Sequence, residues 1–118
     1  MIGISEYTNV LIMRKNSNQT LLFALEAKAE EASRLLMSMG NTKRLLVLCN
    51  LVDGKKSVGQ LAEIVGLSQP ALSQHLGKMR NLGLISPRRD GQTIYYQLAS
   101  REARSVLKTL YRLYCTPA

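Results

Sequence analysis

Residues 57–98 read SVGQLAEIVGLSQPALSQHLGKMRNLGLISPRRDGQTIYYQL, and this stretch decides the fold. Ser57 stands where a helix needs an N-cap, and Leu61, Ala62 and Val65 follow at helical spacing. Gly66-Leu67 makes a turn of about three residues, the connection found inside a helix-turn-helix. Ser68 caps the next helix, with Pro70 in its first turn, where a missing N–H costs little. Leu72, Leu76 and Met79 form its inward stripe, and Asn81-Leu82-Gly83 ends it. Two short strands, Leu84 to Arg89 and Thr93 to Leu98, flank Asp90-Gly91, a tight-hairpin signal.

Upstream, Leu21, Leu25, Ala29, Ala32, Leu36 and Met39 recur every three or four residues, which predicts one helix from about Thr20 to Met39. Gly40 closes it, and Asn41 caps a second helix with Lys43 and Arg44 near its start. Leu45, Leu48, Cys49 and Val52 share one face of that helix, which ends at Asp53-Gly54. Downstream, Ser100 caps a last helix reaching about Tyr114. Its apolar arc of Val106, Leu107, Leu110, Tyr111, Leu113 and Tyr114 is wider than one packing face needs, so a second subunit is expected to cover part of it. The order is four helices, a hairpin and a helix. The expected fold is mainly α with a small β-hairpin, a winged helix-turn-helix whose flanking helices build a homodimer. Residues 1–19 show no clear period and read as a poorly ordered arm, leaving 20–115 as the DNA-binding and dimerisation domain.

The 118 residues suit one domain. Apolar residues make up 46%, but aromatics are sparse, with five Tyr, one Phe and no Trp, so aliphatic side chains and Met must build the core. Sixteen Lys and Arg against eight Asp and Glu give a net charge of +8, a field that suits a polyanion. No run is long and apolar enough for a membrane span or a signal peptide, so a cytoplasmic location is expected. Cys49 and Cys115 are the only cysteines, and His75 is the only histidine. That set supplies neither a metal cluster nor a catalytic triad, and no Gly-rich phosphate loop is present, so no cofactor, metal or enzymatic chemistry is expected.

The helix opening at Ser68 is the second of the pair and therefore the expected recognition helix. With Leu72, Leu76 and Met79 inward, Gln69, Ser73, Gln74 and Lys78 fall on the outer side and His75 at its edge. Gln can bond adenine through two contacts, Ser can meet either base edge or phosphate, and Lys meets phosphate. Arg88, Arg89 and Gln92 at the hairpin suit phosphate or the minor groove. Each feature alone more often marks a solvated polar surface; their order within one module points to double-stranded DNA.

The runs from Ser57 to Leu76, Met79-Arg80, Gly83-Leu84-Ile85 and Arg88 to Tyr96 resemble the ArsR family of winged-helix repressors. The likeness covers roughly residues 28–115 and leaves the first nineteen outside. Members that sense metals carry a Cys-Val-Cys pair where this chain has Ser57-Val58-Gly59, or Asp, His and Glu along the last helix, where it has Arg101, Arg104, Lys108 and Arg112. Cys49 and Cys115 are similar in placement to the thiols of the biofilm growth-associated, persulfide-sensing branch. That resemblance implies a redox pair that reacts with reactive sulfur species and closes a bridge, releasing the operator. Read from the residues alone, Cys49 is rather a small apolar side chain and Cys115 a frayed terminal one; the resemblance is what points to a thiol pair. A DNA-binding regulator without a thiol switch, or an activator, is the alternative.

Overall fold

Four of the described helices begin where a polar side chain satisfies their free amides. The computed structural model describes residues 12–117, with side chains described from Gln19 onward. Helix α1 spans Ile12–Ala27, α2 Ala29–Met39, α3 Thr42–Asn50, α4 Val58–Val65, α5 Gln69–Asn81 and α6 Arg101–Tyr114. Strands β1 (Lys56–Ser57), β2 (Ile85–Asp90) and β3 (Thr93–Leu98) form one antiparallel sheet in the order β1-β3-β2. The fold is a winged helix-turn-helix, mainly helical with a small hairpin.

Asn41 Oδ1 accepts from the amides of Lys43 and Arg44 at 3.0 and 3.1 Å. Ser57 and Gln60 form a reciprocal capping box at 3.1 and 2.8 Å. Ser68 Oγ accepts from Ala71 N at 3.2 Å, and Ser100 Oγ from Ala103 N at 2.9 Å. Gly66 ends α4 in the left-handed region, at φ +70, and its amide returns to Ala62 O. Lys43 Nζ also donates to Val65 O at 2.6 Å, a cation at the negative end of α4.

The chain divides into two compact units, residues 1–34 and 35–118. In the first, the exposed side chains of α1 include Leu21, Leu22, Phe23 and Leu25. The second unit holds the tri-helical core of α3, α4 and α5, the wing and α6. Its buried cluster joins Val47, Leu48 and Leu51 to Leu61 and Val65, to Leu72, Leu76 and Met79, and to Leu84, Ile85, Ala103 and Leu107. Each Leu, Ile, Val or Met of this cluster contributes about 1.5–3 kcal/mol by leaving water.

Four details differ from the sequence expectation. The helix expected from Thr20 begins at Ile12, while residues 1–11 of the expected arm lie outside the described residues. It also breaks at Lys28, whose amide bonds Leu25 O, three rather than four residues back, at 3.0 Å. Glu30 and Glu31 then open α2 at its electropositive end. Strand β1 was not expected; it pairs Lys56 with Tyr96 and Ser57 with Tyr95. The hairpin turn sits one residue later than Asp90-Gly91: Asp90 pairs with Thr93, leaving Gly91-Gln92 as the loop. Gly91, at φ +67, takes the first central position, which gives a type II′ turn and spares Asp90 a left-handed conformation.

Candidate nucleic-acid interface and thiol pair

Burial of Leu72, Leu76 and Met79 determines which face α5 turns outward. Gln69, Ser73, Gln74 and Lys78 are exposed, and His75 is half-buried at the edge of that face. Ser68 is exposed too, with its hydroxyl oxygen already engaged at the cap. The Gln69 amide nitrogen lies 3.9 Å from where a Cβ on Gly59 would stand, so the start of α5 rests close to the first turn of α4.

His75 Nδ1 lies 3.4 Å from Arg44 Nη1, reached across from α3. Burial lowers the imidazole pKa below its ordinary 6.5, and the charges of Arg44 and Lys78 push it the same way. The ring is therefore neutral at pH near 7.

The wing separates Arg88 from Arg89. Successive strand residues point to opposite faces. Arg88 is opposite Tyr95, on the face where Lys55 stacks 4.8 Å from the Tyr95 ring and lies 3.9 Å from Asp90 Oδ2. Arg89 is opposite Ile94, on the other face, where Pro87, Ile94, Tyr96 and Arg80 of α5 line an open groove of about 320 Å³ with it. Gln92 is exposed in the turn. Sequence reading missed Arg44, Arg80 and Lys55. Arg80 sits two residues beyond Lys78 in the basic last turn of α5, a signal available in the chain. Arg44 and Lys55 act across elements, which no local pattern reveals.

Cys49 lies in the last turn of α3 and Cys115 at the C-cap of α6, both as exposed free thiols. The two are near enough for charge on Cys115 to act on Cys49. Partial burial first, and then that charge, raise the Cys49 pKa above the ordinary 9.0. Helix α6 is also tied back by Arg104 Nη1, which donates to Val52 O just beyond α3 at 3.2 Å. Past the buried Ala103 and Leu107, α6 leaves Tyr111, Leu113 and Tyr114 exposed by 63%, 68% and 81%. Among the described residues no three His, Cys, Asp or Glu side chains gather where they could hold a metal ion, and no helix is long and apolar enough to cross a membrane.

Residues 41–86, from the cap of α3 into β2, match the family profile described as bacterial regulatory protein, arsR family. The chain is 44% identical over 91 residues to the transcriptional activator HlyU of Vibrio cholerae, covering 77% of this chain and 84% of that protein. It is 38% identical over 92 residues to the biofilm growth-associated repressor of Xylella fastidiosa, covering 78% and 81%. The solved structure of reduced HlyU from Vibrio cholerae superposes with a TM-score of 0.75 at 43% identity, covering 79% of this chain and 98% of that one. With a helix-turn-helix, a wing and these relatives in common, the chain belongs to the arsR family of bacterial regulatory proteins, which are DNA-binding transcriptional regulators and not enzymes.

Proposed function

We propose that the chain is a homodimeric repressor, acting in the cytoplasm, that binds a double-stranded DNA operator and is released by persulfide chemistry at Cys49 and Cys115. Ser68, Gln69, Ser73, Gln74, His75 and Lys78 on α5 would meet bases and phosphates in the major groove. Arg88, Arg89 and Gln92 on the wing would meet the neighbouring backbone or minor groove. The net charge of +8 supports a polyanionic partner. The uncovered aliphatic and aromatic side chains of α1 and α6 support a second subunit.

The observation that carries the switch is that the two free, exposed thiols stand at the ends of α3 and α6, which Arg104 ties together through Val52 O, and charge on Cys115 acts to raise the Cys49 pKa. In this scheme Cys115, exposed at the C-cap of α6, makes the first attack. The Cys115 thiolate takes the outer sulfur of a low-molecular-weight persulfide and expels its thiolate. Cys49, on losing its proton to solvent, then attacks the Cys115 sulfur and expels hydrosulfide. Two thiols are oxidised to a disulfide while the persulfide is reduced to a thiol and hydrogen sulfide. A bridge brings the Cα atoms within about 7 Å and ties α3 to α6. In a two-fold dimer the recognition helices must meet half-sites about 34–36 Å apart, so a small rotation of each subunit spoils the fit.

The identity with HlyU, named an activator, favours a second reading in which the bound protein raises transcription. Selection of duplexes from a randomised pool by the reduced protein, followed by hydroxyl-radical footprinting, tests the DNA reading. An enriched sequence protected at two half-sites one helical turn apart is expected; absence of enrichment refutes it. Reporter transcription from the enriched site separates repressor from activator.

A further inference from the structure

Arg44 ties three helices together. Its Nε donates to Ser38 O at 2.7 Å and its Nη2 to Met37 O at 3.5 Å, both carbonyls in the last turn of α2. Carbonyls there lack partners within their own helix and favour a cation. The guanidinium so held turns Nη1 to His75 Nδ1, 3.4 Å away on α5. Arginine has five N–H donors and no acceptor. The imidazole nitrogen facing it must therefore offer its lone pair, and the single proton of a neutral ring must sit on Nε2. The charges acting on the ring are Arg44 from α3 and Lys78 from α5 itself, both cations that disfavour a second proton.

We infer that Arg44 is a positioning residue for DNA recognition: it holds His75 as a neutral Nε2–H donor, so that this point of α5 reads a hydrogen-bond acceptor on DNA. The inference rests on α5 being the recognition helix. Base-edge acceptors in the major groove are guanine N7 and O6, adenine N7 and thymine O4, and a phosphate oxygen offers the same chemistry. Without Arg44, His75 takes either tautomer, and a bare Nε2 accepts from the amino groups of adenine or cytosine as well. Loss of Arg44 thus widens base choice at one position without removing any group that touches DNA.

The single histidine makes the test clean, because the imidazole nitrogen signals have one source. Long-range proton–nitrogen correlation on the full chain with labelled histidine, above neutral pH and without DNA, reads the tautomer directly. The wild type is expected to carry the proton on Nε2 alone. A proton on Nδ1, or a mixture of tautomers in the wild type, overturns the inference without any variant. Arg44→Lys, whose ammonium also only donates, retains the Nε2–H form; Arg44→Gln, whose amide can accept, admits both.

Duplexes are then selected from a randomised pool by each protein. Arg44→Gln is expected to lose about fivefold to tenfold of base preference at one position per half-site, with Arg44→Lys restoring it. A similar loss on all sequences alike, again restored by Arg44→Lys, supports the inference with phosphate as the acceptor. Unchanged affinity and preference in Arg44→Gln overturn it. A wild type that enriches no duplex overturns the recognition-helix reading, and that failure is distinguishable because the tautomer is measured without DNA.

Discussion

Replacing Gly77 by alanine tests how well the geometry of α5 is described. Gly77 is the ninth of the thirteen residues of α5, deep in the helix. It is not among the glycines with positive φ, and a Cβ there meets nothing within 4 Å. The added methyl therefore brings only the difference in helix propensity, about 0.8–1 kcal/mol in favour of alanine. With a urea slope of about 1.5 kcal/mol/M, the unfolding midpoint rises by about 0.5 M. Gly66→Ala is the matched control. It also has room, with Lys43 Nζ the nearest atom at 3.9 Å, but its φ is +70. Left-handed backbone costs an L-residue about 1–2 kcal/mol, so that midpoint falls by about 1 M. The assay is far-ultraviolet circular dichroism at one fixed protein concentration, because dimer stability depends on concentration. A lower midpoint for Gly77→Ala at unchanged slope refutes the open surroundings described for it. An unchanged midpoint for Gly66→Ala refutes the left-handed cap.

Lys78→Ala should weaken binding to enriched and scrambled duplexes alike and reduce the salt slope by about one, whereas Gln69→Ala or Gln74→Ala should relax base preference by about 1–3 kcal/mol. Equal losses on both duplexes for the Gln variants reverse that assignment. Because the His75 pKa lies below 6.5, the unfolded chain binds more protons than the folded one just below that pH. Melting temperature should accordingly fall as pH drops below 6.5, and His75→Gln should flatten that part of the profile; equal slopes for both proteins contradict it. Light scattering should give a dimer mass at micromolar concentration, and Leu113→Glu, at a side chain 68% exposed on α6, should shift it toward monomer. A monomer mass for the wild type removes the dimer.

Features set by neighbours in the chain were legible in the sequence. Ser57, Ser68 and Ser100 cap the helices they precede, and Leu72, Leu76 and Met79 are buried where their spacing places them. The outward positions of Gln69, Ser73, Gln74 and Lys78 follow from that stripe. Features set by distant partners were not legible. Strand β1 is two residues long and exists through pairing with Tyr95 and Tyr96, some forty residues onward. The break at Lys28 carries neither Gly nor Pro, so composition does not mark it. Asp90-Gly91 fits a type I′ turn as written, yet pairing of Asp90 with Thr93 moves the loop onward by one. Arg44 reads as a solvated cation near a helix start until Met37, Ser38 and His75 are seen around it.

The thiol switch is tested most directly by one paired titration. Wild type and the Cys49→Ser/Cys115→Ser protein are treated with glutathione persulfide, analysed by intact mass, and titrated onto the same enriched duplex. The wild type should lose two hydrogen masses, weaken on DNA by about tenfold or more, and recover with reductant, while the double serine protein keeps its affinity throughout. A wild type that closes the bridge and keeps full affinity, or a double serine protein that still releases DNA, contradicts it.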